Sequence, residues 1–412
     1  MKKLLGLLLV MTMAWPVSAD VLKNVDLKGE VQVIGSDVNH NSPRNGDKLN
    51  SGTNLRVLAG ASFDLVEDVR ANLLFQYGNA WGNAPLAQDG VGTNGRSVQN
   101  YWDDVTLVEA NVVLSNLFDC FEATVGRQFY GDEDSAVMYF GPSHYNAEGV
   151  NLASSLDAAK LVYSDDFKTF TLIGGKLVHV DDPTVTPVTS KDSAIYGADL
   201  KLNLTDTLKA QVYGYDLRDA IAYDDNGVTK VYENAGFYGA KVTFAPEALK
   251  VSGEYARNYG GDRLVKEPKN TGYMAKFDAA LTLDAFTPRA AFVYAANDFL
   301  AFGNYRPGII IGDSRHGDVF DYYGDGSGLR LFNIGLDYVL NKWTFAADAY
   351  SFQSRTGSHA ATYEYDLTVK YAHNEYVELF AGVGYLRNGA TDRDLGYDKD
   401  LTKGQLGMLV KF

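Results

Sequence analysis

Residues 25–33 read Val25-Asp26-Leu27-Lys28-Gly29-Glu30-Val31-Gln32-Val33, an alternation of apolar or small residues with polar ones. Successive side chains of a β-strand point to opposite faces, so this stretch has one apolar face and one polar face. A helix would instead repeat its apolar residues every three or four positions, which this stretch does not do. The pattern predicts a strand with one face toward an apolar medium and the other toward water.

The same period of two recurs along the chain, for example over residues 55–63, 69–77, 273–279 and 363–371. Segments of about ten residues with this pattern are typical of transmembrane barrels, in which lipid-facing and lumen-facing side chains alternate. The predicted fold is therefore all-β, a transmembrane antiparallel up-and-down β-barrel of about 18 strands. The predicted strands lie near residues 25–34, 53–64, 68–78, 104–115, 120–130, 156–163, 168–180, 193–204, 207–218, 234–245, 248–259, 271–283, 286–296, 329–340, 343–354, 360–371, 376–387 and 403–412.

The predicted connections are short on one side of the barrel and mostly long on the other, as expected for periplasmic turns and extracellular loops. An even number of strands also places both chain ends in the periplasm. Residues 147–163 leave three interpretations open: two short strands, one strand, or one strand that follows an inward-folded loop.

The first 19 residues have the features of a signal peptide, with Lys2 and Lys3, an apolar run over residues 4–15 and the small-residue pattern of residues 17–19. The remainder, residues 20–412, is predicted to be one barrel domain in the bacterial outer membrane. No later stretch approaches the roughly 20 apolar residues of a spanning helix, and an exported chain without such helices can cross a membrane only as a closed barrel. The chain carries 37 basic and 52 acidic residues, which argues against a nucleic-acid partner. Its single cysteine, Cys120, excludes a disulfide scaffold.

The last eight residues, Gln405-Leu406-Gly407-Met408-Leu409-Val410-Lys411-Phe412, also alternate and end on an aromatic residue. This stretch resembles the closing strand of bacterial outer-membrane barrels. The resemblance implies that the barrel-assembly machinery of the outer membrane recognises this strand.

The chain contains 27 Tyr and 21 Phe residues, and many of them fall near strand ends. Such positions suit an aromatic belt where the barrel meets the lipid and lipopolysaccharide of the outer membrane. Ordinary strand propensity is the alternative explanation. The belt is favoured because the same residues fall on the predicted lipid face: Phe63, Tyr77, Phe244, Tyr338 and Tyr371.

A barrel of this size encloses an aqueous lumen unless loops plug it, so transport is the expected activity. The candidate lumen and solute-contacting residues are the charged residues predicted to point inward: Arg56, Arg70, Glu109, Glu122, Arg127, Asp199, Lys201, Lys241, Glu254, Lys276, Asp278, Asp337, Asp348, Glu364, Asp366 and Lys370. Each of them could equally be a solvated wall residue. Because the two signs are mixed on the wall, the excess of acid must lie in the loops, which predicts a weakly cation-selective pore at low salt.

Strict alternation from Phe121 would point Arg127 at lipid, where an arginine costs roughly 2 to 4 kcal/mol at the midplane. Two arrangements would keep the Arg127 guanidinium out of the apolar part of the membrane. A bulge near Gly126 would turn Arg127 into the lumen, or Arg127 would lie near the outer interface and extend toward water. The bulge is the favoured prediction.

The motif Gly126-Arg127-Gln128, followed by Gly131-Asp132 and later by Ala147-Glu148-Gly149-Val150, resembles the alginate-export family of outer-membrane β-barrel proteins. The resemblance implies a monomeric barrel that passes an anionic polysaccharide through an arginine-rich lumen. The sequence departs from this pattern at Glu133-Asp134, where a basic residue is usual, and its predicted wall is not dominated by arginine.

Residues 318–328 form part of one long predicted loop that contains several glycines and three carboxylates, those of Asp318, Asp321 and Asp325. Such oxygen ligands suit Ca²⁺. A flexible acidic surface loop without a metal is the alternative. No other cofactor is predicted.

Three functions compete for this barrel. A porin-like channel for diffusion or export of hydrophilic solutes is the leading prediction. A barrel protease or lipase would need a histidine beside a nucleophile or a carboxylate pair, and the six histidines have no recognisable partner, so no enzymatic activity is expected. A structural or adhesive barrel without transport is the third.

Overall fold

The computed structural model describes residues 23–38, 52–81, 105–133, 135–142, 153–177, 194–218, 222–225, 228–231, 236–259, 272–296, 299, 301–312, 328–355, 360–387 and 400–412. The predicted signal peptide and the predicted calcium loop of Asp318, Asp321 and Asp325 lie outside these residues. Within the described part of the chain, no helix is both long and apolar enough to cross a membrane.

The described residues form strands that follow one another along the chain. These are β1 (Lys23–Val38), β2 (Gly52–Val66), β3 (Val69–Trp81), β4 (Thr106–Leu117), β5 (Phe121–Gln128), β6 (Leu156–Ser164), β7 (Lys168–Leu177), β8 (Ala194–Asn203), β9 (Leu208–Arg218), β10 (Ala222–Asp225), β11 (Val228–Val231), β12 (Gly236–Phe244), β13 (Leu249–Tyr259), β14 (Tyr273–Leu281), β15 (Phe286–Ala296), β16 (Leu329–Leu340), β17 (Trp343–Ser354), β18 (Thr362–Ala372), β19 (Val377–Arg387) and β20 (Leu401–Lys411).

Eighteen of these strands form one closed antiparallel sheet in which each strand pairs with its neighbours in the chain, and β1 pairs with β20. The predicted barrel and its strand number are confirmed. Strand β9 pairs directly with β12, so β10 and β11 form a separate two-stranded antiparallel sheet, which was not predicted from the sequence. The ambiguous residues 147–163 contain one described barrel strand, β6.

The two ends of the barrel differ in their connections. The end called here the short-turn end carries both β1's first residue and Phe412, and its turns include residues 67–68, 165–167 and 341–342. The connections at the other end, the long-loop end, are mostly longer. In three of the short turns a side chain accepts hydrogen bonds from two backbone N–H groups, which fixes the turn; these side chains are Asp165, Thr205 and Asn374.

Alternation along the strands divides the barrel into an outward apolar face and an inward polar face. On β1, Val25 and Leu27 are exposed while Glu30 and Gln32 are buried. The aromatic residues predicted for the belt lie on the outward face, and at the short-turn end they stack on neighbours. Tyr338 packs on Phe286, with ring centroids 4.7 Å apart, and similar packing joins Tyr371 to Trp343.

The barrel closes through contacts between the last residue of the chain and β1. The backbone N–H of Gly29 donates to the carbonyl of Phe412 at 2.7 Å, and the N–H of Phe412 donates to the carbonyl of Gly29 at 3.0 Å. A Cβ on Gly29 would lie 2.5 Å from the Phe412 ring, so the ring occupies the space that glycine leaves. The closing strand therefore leaves no unpaired edge there.

Candidate functional site: the barrel lumen

Two segments from the long-loop end fold into the lumen. The first inner segment, residues 129–133 and 135–142, follows β5, and the second inner segment, residues 301–312, follows β15. Buried residues of both segments belong to one apolar cluster with inward residues of the wall, including Leu156 of β6 and Leu331 of β16. Since these strands lie far apart around the barrel, side chains from both can join one cluster only inside the lumen.

The two inner segments pair with each other. The N–H of Tyr139 donates to the carbonyl of Phe302 at 2.8 Å, and the N–H of Phe302 donates to the carbonyl of Val137 at 2.8 Å. The N–H of Asn304 donates to the carbonyl of Ser135 at 2.9 Å. Backbone pairing of this kind makes the two segments one structural unit across the lumen.

Wall carboxylates hold the second inner segment in place. Glu364 on β18 accepts hydrogen bonds from the backbone N–H groups of Ile310 (2.6 Å) and Ile311 (3.0 Å). Asp366 on the same strand accepts from the N–H of Ile309 at 2.9 Å, and Lys403 donates to the Ile309 carbonyl at 3.2 Å. All three wall side chains are buried. Three successive backbone N–H groups thus find acceptors on two buried wall side chains, so this part of the wall anchors the segment.

The first inner segment borders a polar cavity of about 280 Å³ on the β6–β13 side of the lumen. Three lysines, Lys160, Lys201 and Lys241, and three carboxylates, those of Asp132, Asp199 and Glu254, line it together with Tyr130, Tyr213 and Tyr215. We call this space the lysine cavity.

Several of the polar groups in the lysine cavity are already bonded to each other. Lys201 donates to Asp132 at 2.8 Å, and the hydroxyl of Tyr213 donates to Glu254 at 2.7 Å. The hydroxyl groups of Tyr130 and Tyr215 lie 3.0 Å apart, and burial raises the pKa of Tyr130 to about 12. Lys160 has no ion-pair partner among the described residues. No carboxylate of the described residues therefore neutralises the Lys160 ammonium.

A second cavity, of about 440 Å³, lies between the inner segments and the opposite wall. Glu133 and Arg306 of the inner segments face Asp348, Tyr350 and Lys370 of the wall across this space. Polar spaces therefore lie on both sides of the paired inner segments.

The charged residues predicted for the lumen all lie on the inward face, with Arg127 as the exception. Most of them form ion pairs along the wall. Arg56 pairs with Glu30, Lys276 pairs with Asp278 at 2.8 Å, and Lys370 lies 3.6 Å from Glu378. Near the short-turn end Arg70 pairs with Asp26 at 2.6 Å and Lys28 with Glu109 at 2.7 Å. Glu122 faces the lumen and is exposed, whereas Asp199 is buried and accepts a hydrogen bond from Gln211. Their contact with a solute stays a prediction.

One ion-pair group spans three strands of the wall. Arg289 of β15 lies 3.0 Å from Asp337 on β16 and 2.7 Å from Asp348 on β17. A Cβ on Gly335 would lie 2.5 Å from the carboxylate of Asp348 and 2.9 Å from the guanidinium of Arg289. Glycine at this position therefore leaves room for the pair.

The bulge predicted near Gly126 is wrong. Around Gly126, strand β5 pairs in a continuous register with both β4 and β6, and the shift in the β4–β5 pairing lies at its other end, between Leu114 and Leu117. An irregularity at the level of Arg127 lies one strand away, where Leu74 pairs with Glu109 and the next residue of β3 pairs with Leu107. Val108 is the extra residue, and it is buried against Leu58 and Leu74 in the lumen.

Arg127 lies on the outward face near the long-loop end of β5. Its neighbour Gln128 is buried inside, where its amide donates to the carbonyl of Ala158 at 2.9 Å. Arg127 forms a two-bond ion pair with Asp157 of β6, both bonds at 2.8 Å, and also donates to the carbonyl of Leu107. The paired carboxylate and a position near the barrel end replace the predicted bulge as the reason that an outward arginine is tolerated.

Three charged lumen residues were not predicted from the sequence: Lys160, Lys403 and Arg306. Lys160 and Lys403 occupy inward positions of their strands, so the period of two could have identified both. Arg306 lies in an inner segment without periodicity, and no local signal marks it.

Known proteins resemble this chain in structure but not in sequence. No protein-family model matches the chain. No curated protein sequence matches it. Solved structures do: OccK3 (OpdO) of Pseudomonas aeruginosa is 14% identical, with 95% of this chain and 97% of that chain covered and a TM-score of 0.61.

Two further structures agree. The outer membrane protein OpdK of Pseudomonas aeruginosa is 9% identical over 94% of this chain and 98% of that chain, with a TM-score of 0.63. OccAB2 of Acinetobacter baumannii is 12% identical over 96% and 99% of the two chains, with a TM-score of 0.62. At these identities the likeness shows the fold alone, that of an 18-stranded outer-membrane barrel, and not membership of the alginate-export family.

Proposed function

We propose that this protein is a porin-like channel of the bacterial outer membrane through which small hydrophilic solutes diffuse. The observation that carries the proposal is a closed barrel with a polar inward face. Two paired inner segments narrow its lumen, so residues other than those of the wall also line it. A protein that only displayed loops would not need charged cavities on both sides of these segments. The short-turn end would then face the periplasm and the long-loop end the outside.

The proposed solutes are small and charged. The lysine cavity holds three lysines against three carboxylates, so it can contact both signs of charge. One structural neighbour is described as OpdK with vanillate, which makes a small aromatic carboxylate a rational first solute to test.

Export of an anionic polysaccharide is the alternative function. The resemblance of residues 126–132 to the alginate-export family favours it. Such a polymer would have to pass both inner segments and would gain most from a ladder of lumen arginines. Arg56 and Arg70 are instead neutralised by Glu30 and Asp26, and Arg127 faces outward. We therefore propose small solutes ahead of a polymer.

Single-channel recording of the purified full-length protein in planar bilayers tests the proposal. Steady conductance steps, together with swelling of protein-containing liposomes in vanillate but not in a polymer of alginate size, would support it. Absence of conductance would contradict it; hydrolysis of peptide or lipid substrates by the same silent sample would favour a barrel enzyme.

A further inference from the structure

Three outward arginines stand at the long-loop end of the barrel wall. Arg257 of β13, Arg330 of β16 and Arg387 of β19 are all exposed, and each alternates with buried inward neighbours on its strand. Among the described residues none of the three has a carboxylate within ion-pair distance, in contrast to Arg127 and Arg218 on the same face. Within the described part of the chain, three cations without an ion-pair partner thus point away from the barrel.

The aromatic residues beside these arginines indicate their position relative to the membrane. Two positions nearer the membrane centre on the same outward faces lie exposed aromatic side chains: Tyr255 below Arg257, Phe332 below Arg330 and Tyr385 below Arg387. Across the strands, Arg257 pairs in register with Tyr238 and Tyr273, Arg330 with Tyr294, and Arg387 with Tyr363.

These tyrosines form a belt, since Tyr255 contacts Tyr273 (6.3 Å between ring centroids) and Tyr273 contacts Tyr294 (5.8 Å). Aromatic belts lie at the level of lipid headgroups. Arginine at this level reaches past the apolar region and places its guanidinium among the headgroups.

We infer that Arg257, Arg330 and Arg387 bind phosphate groups of the phosphorylated glycolipid, lipopolysaccharide, that forms the outer leaflet. The inference rests on the outer-membrane location of the proposed function. Guanidinium binds phosphate through two parallel hydrogen bonds, and an unpaired arginine has all its donors available for this. Neighbouring arginines of the three are three strands apart, about 14 Å along the wall, so each serves a different phosphate.

The test compares three forms of the full-length protein. The first is the native chain and the second carries Arg257→Gln, Arg330→Gln and Arg387→Gln. The control removes three lysines from the short-turn end instead, with Lys23→Gln, Lys168→Gln and Lys342→Gln. Each form is reconstituted in phosphatidylcholine vesicles that contain lipid A with both phosphates, dephosphorylated lipid A, or phosphatidylglycerol. Native mass spectrometry then measures the lipid that each form retains.

The native and control proteins should retain phosphorylated lipid A, and the arginine variant should lose about tenfold in affinity for each phosphate site. Equal retention by the arginine variant, or equal retention of dephosphorylated lipid A by the native protein, would overturn the inference. Retention of phosphatidylglycerol as strong as that of lipid A would overturn the assignment to the outer-leaflet glycolipid. Conductance of the same samples separates this inference from the channel proposal, because outward arginines should not alter it and a silent native protein would count against the channel alone.

Discussion

The carboxylate of Glu364 bonds the backbone N–H of Ile310, 54 residues away in the chain, at 2.6 Å and so ties the second inner segment to the barrel wall. Its other oxygen accepts the N–H of Ile311. A Cβ on Gly308, at φ 83°, would lie 2.7 Å from this carboxylate, so glycine allows the segment to approach the wall closely. Glu364 is therefore one of the buried wall side chains, with Asp366 and Lys403, that set the position of this segment in the lumen.

Replacing Glu364 with glutamine should loosen the second inner segment. The amide keeps the shape of the side chain but turns one acceptor into a donor that faces a backbone N–H, which costs about 1 to 3 kcal/mol. We expect a larger or noisier single-channel conductance in Glu364→Gln.

Glu122→Gln is the matched control, because Glu122 also faces the lumen but is exposed and has no hydrogen-bond partner among the described residues. Equal conductance of Glu364→Gln and the native protein would show that this carboxylate does not position the segment.

Pairing of the two inner segments should depend on Gly303. A Cβ at this position would lie 2.3 Å from the backbone carbon of Ala136 and 2.5 Å from the carbonyl oxygen of Ser135. Backbone atoms cannot move aside as a flexible side chain can, so Gly303→Ala should separate the segments and raise the conductance. Gly253→Ala controls for a general loss of glycine, since nothing lies within 4 Å of its Cβ position. A native conductance in Gly303→Ala would mean that the pairing does not narrow the pore.

The strands could be predicted from the sequence because their signal is local. An alternation over ten residues, as in residues 25–33, is imposed by the contrast between lipid on one face and water on the other. The two-stranded sheet of β10 and β11 has only four residues in each strand, which is too short to show a period. It was missed for that reason.

The inner segments could not be predicted because their positions depend on distant residues. Nothing within residues 301–312 indicates that Glu364, Asp366 and Lys403 will bond them. The misplaced bulge has a similar cause, since Arg127 is on β5 but the irregularity is at Val108 on β4. Alternation along one strand cannot reveal how its neighbours pair with each other.

The ion selectivity of the pore should depend on the charges of the lysine cavity and not on Arg127. We expect the native pore to be weakly cation-selective at low salt and less so near 1 M salt, where the Debye length is about 3 Å. Changing Lys160, Lys201 and Lys241 to glutamine leaves the cavity carboxylates unopposed and should shift the reversal potential further toward cations.

The control for selectivity is Arg127→Gln, which should leave the reversal potential unchanged because Arg127 faces outward. Reversal potentials across a KCl gradient decide between the two groups of residues. A shift toward cations in Arg127→Gln that equals the shift of the lysine variant would contradict the placement of Arg127. Strong native anion selectivity would instead return polyanion export to first place.

Assembly should depend on the contact between Phe412 and Gly29 that closes the barrel. The Phe412 ring covers Gly29 on the outward face, and the two backbones exchange hydrogen bonds of 2.7 and 3.0 Å. Phe412→Asp places a charge on the lipid face, and Gly29→Leu fills the space that the ring needs. Both should lower the amount of heat-modifiable, membrane-inserted protein, since an unclosed barrel exposes strand edges to lipid.

The control is Leu406→Ala, which should insert normally. Leu406 is an outward residue of the same strand and is 67% exposed. Native amounts of inserted Phe412→Asp would show that closure does not require the terminal ring, whereas failure of Gly29→Leu alone would assign the effect to β1.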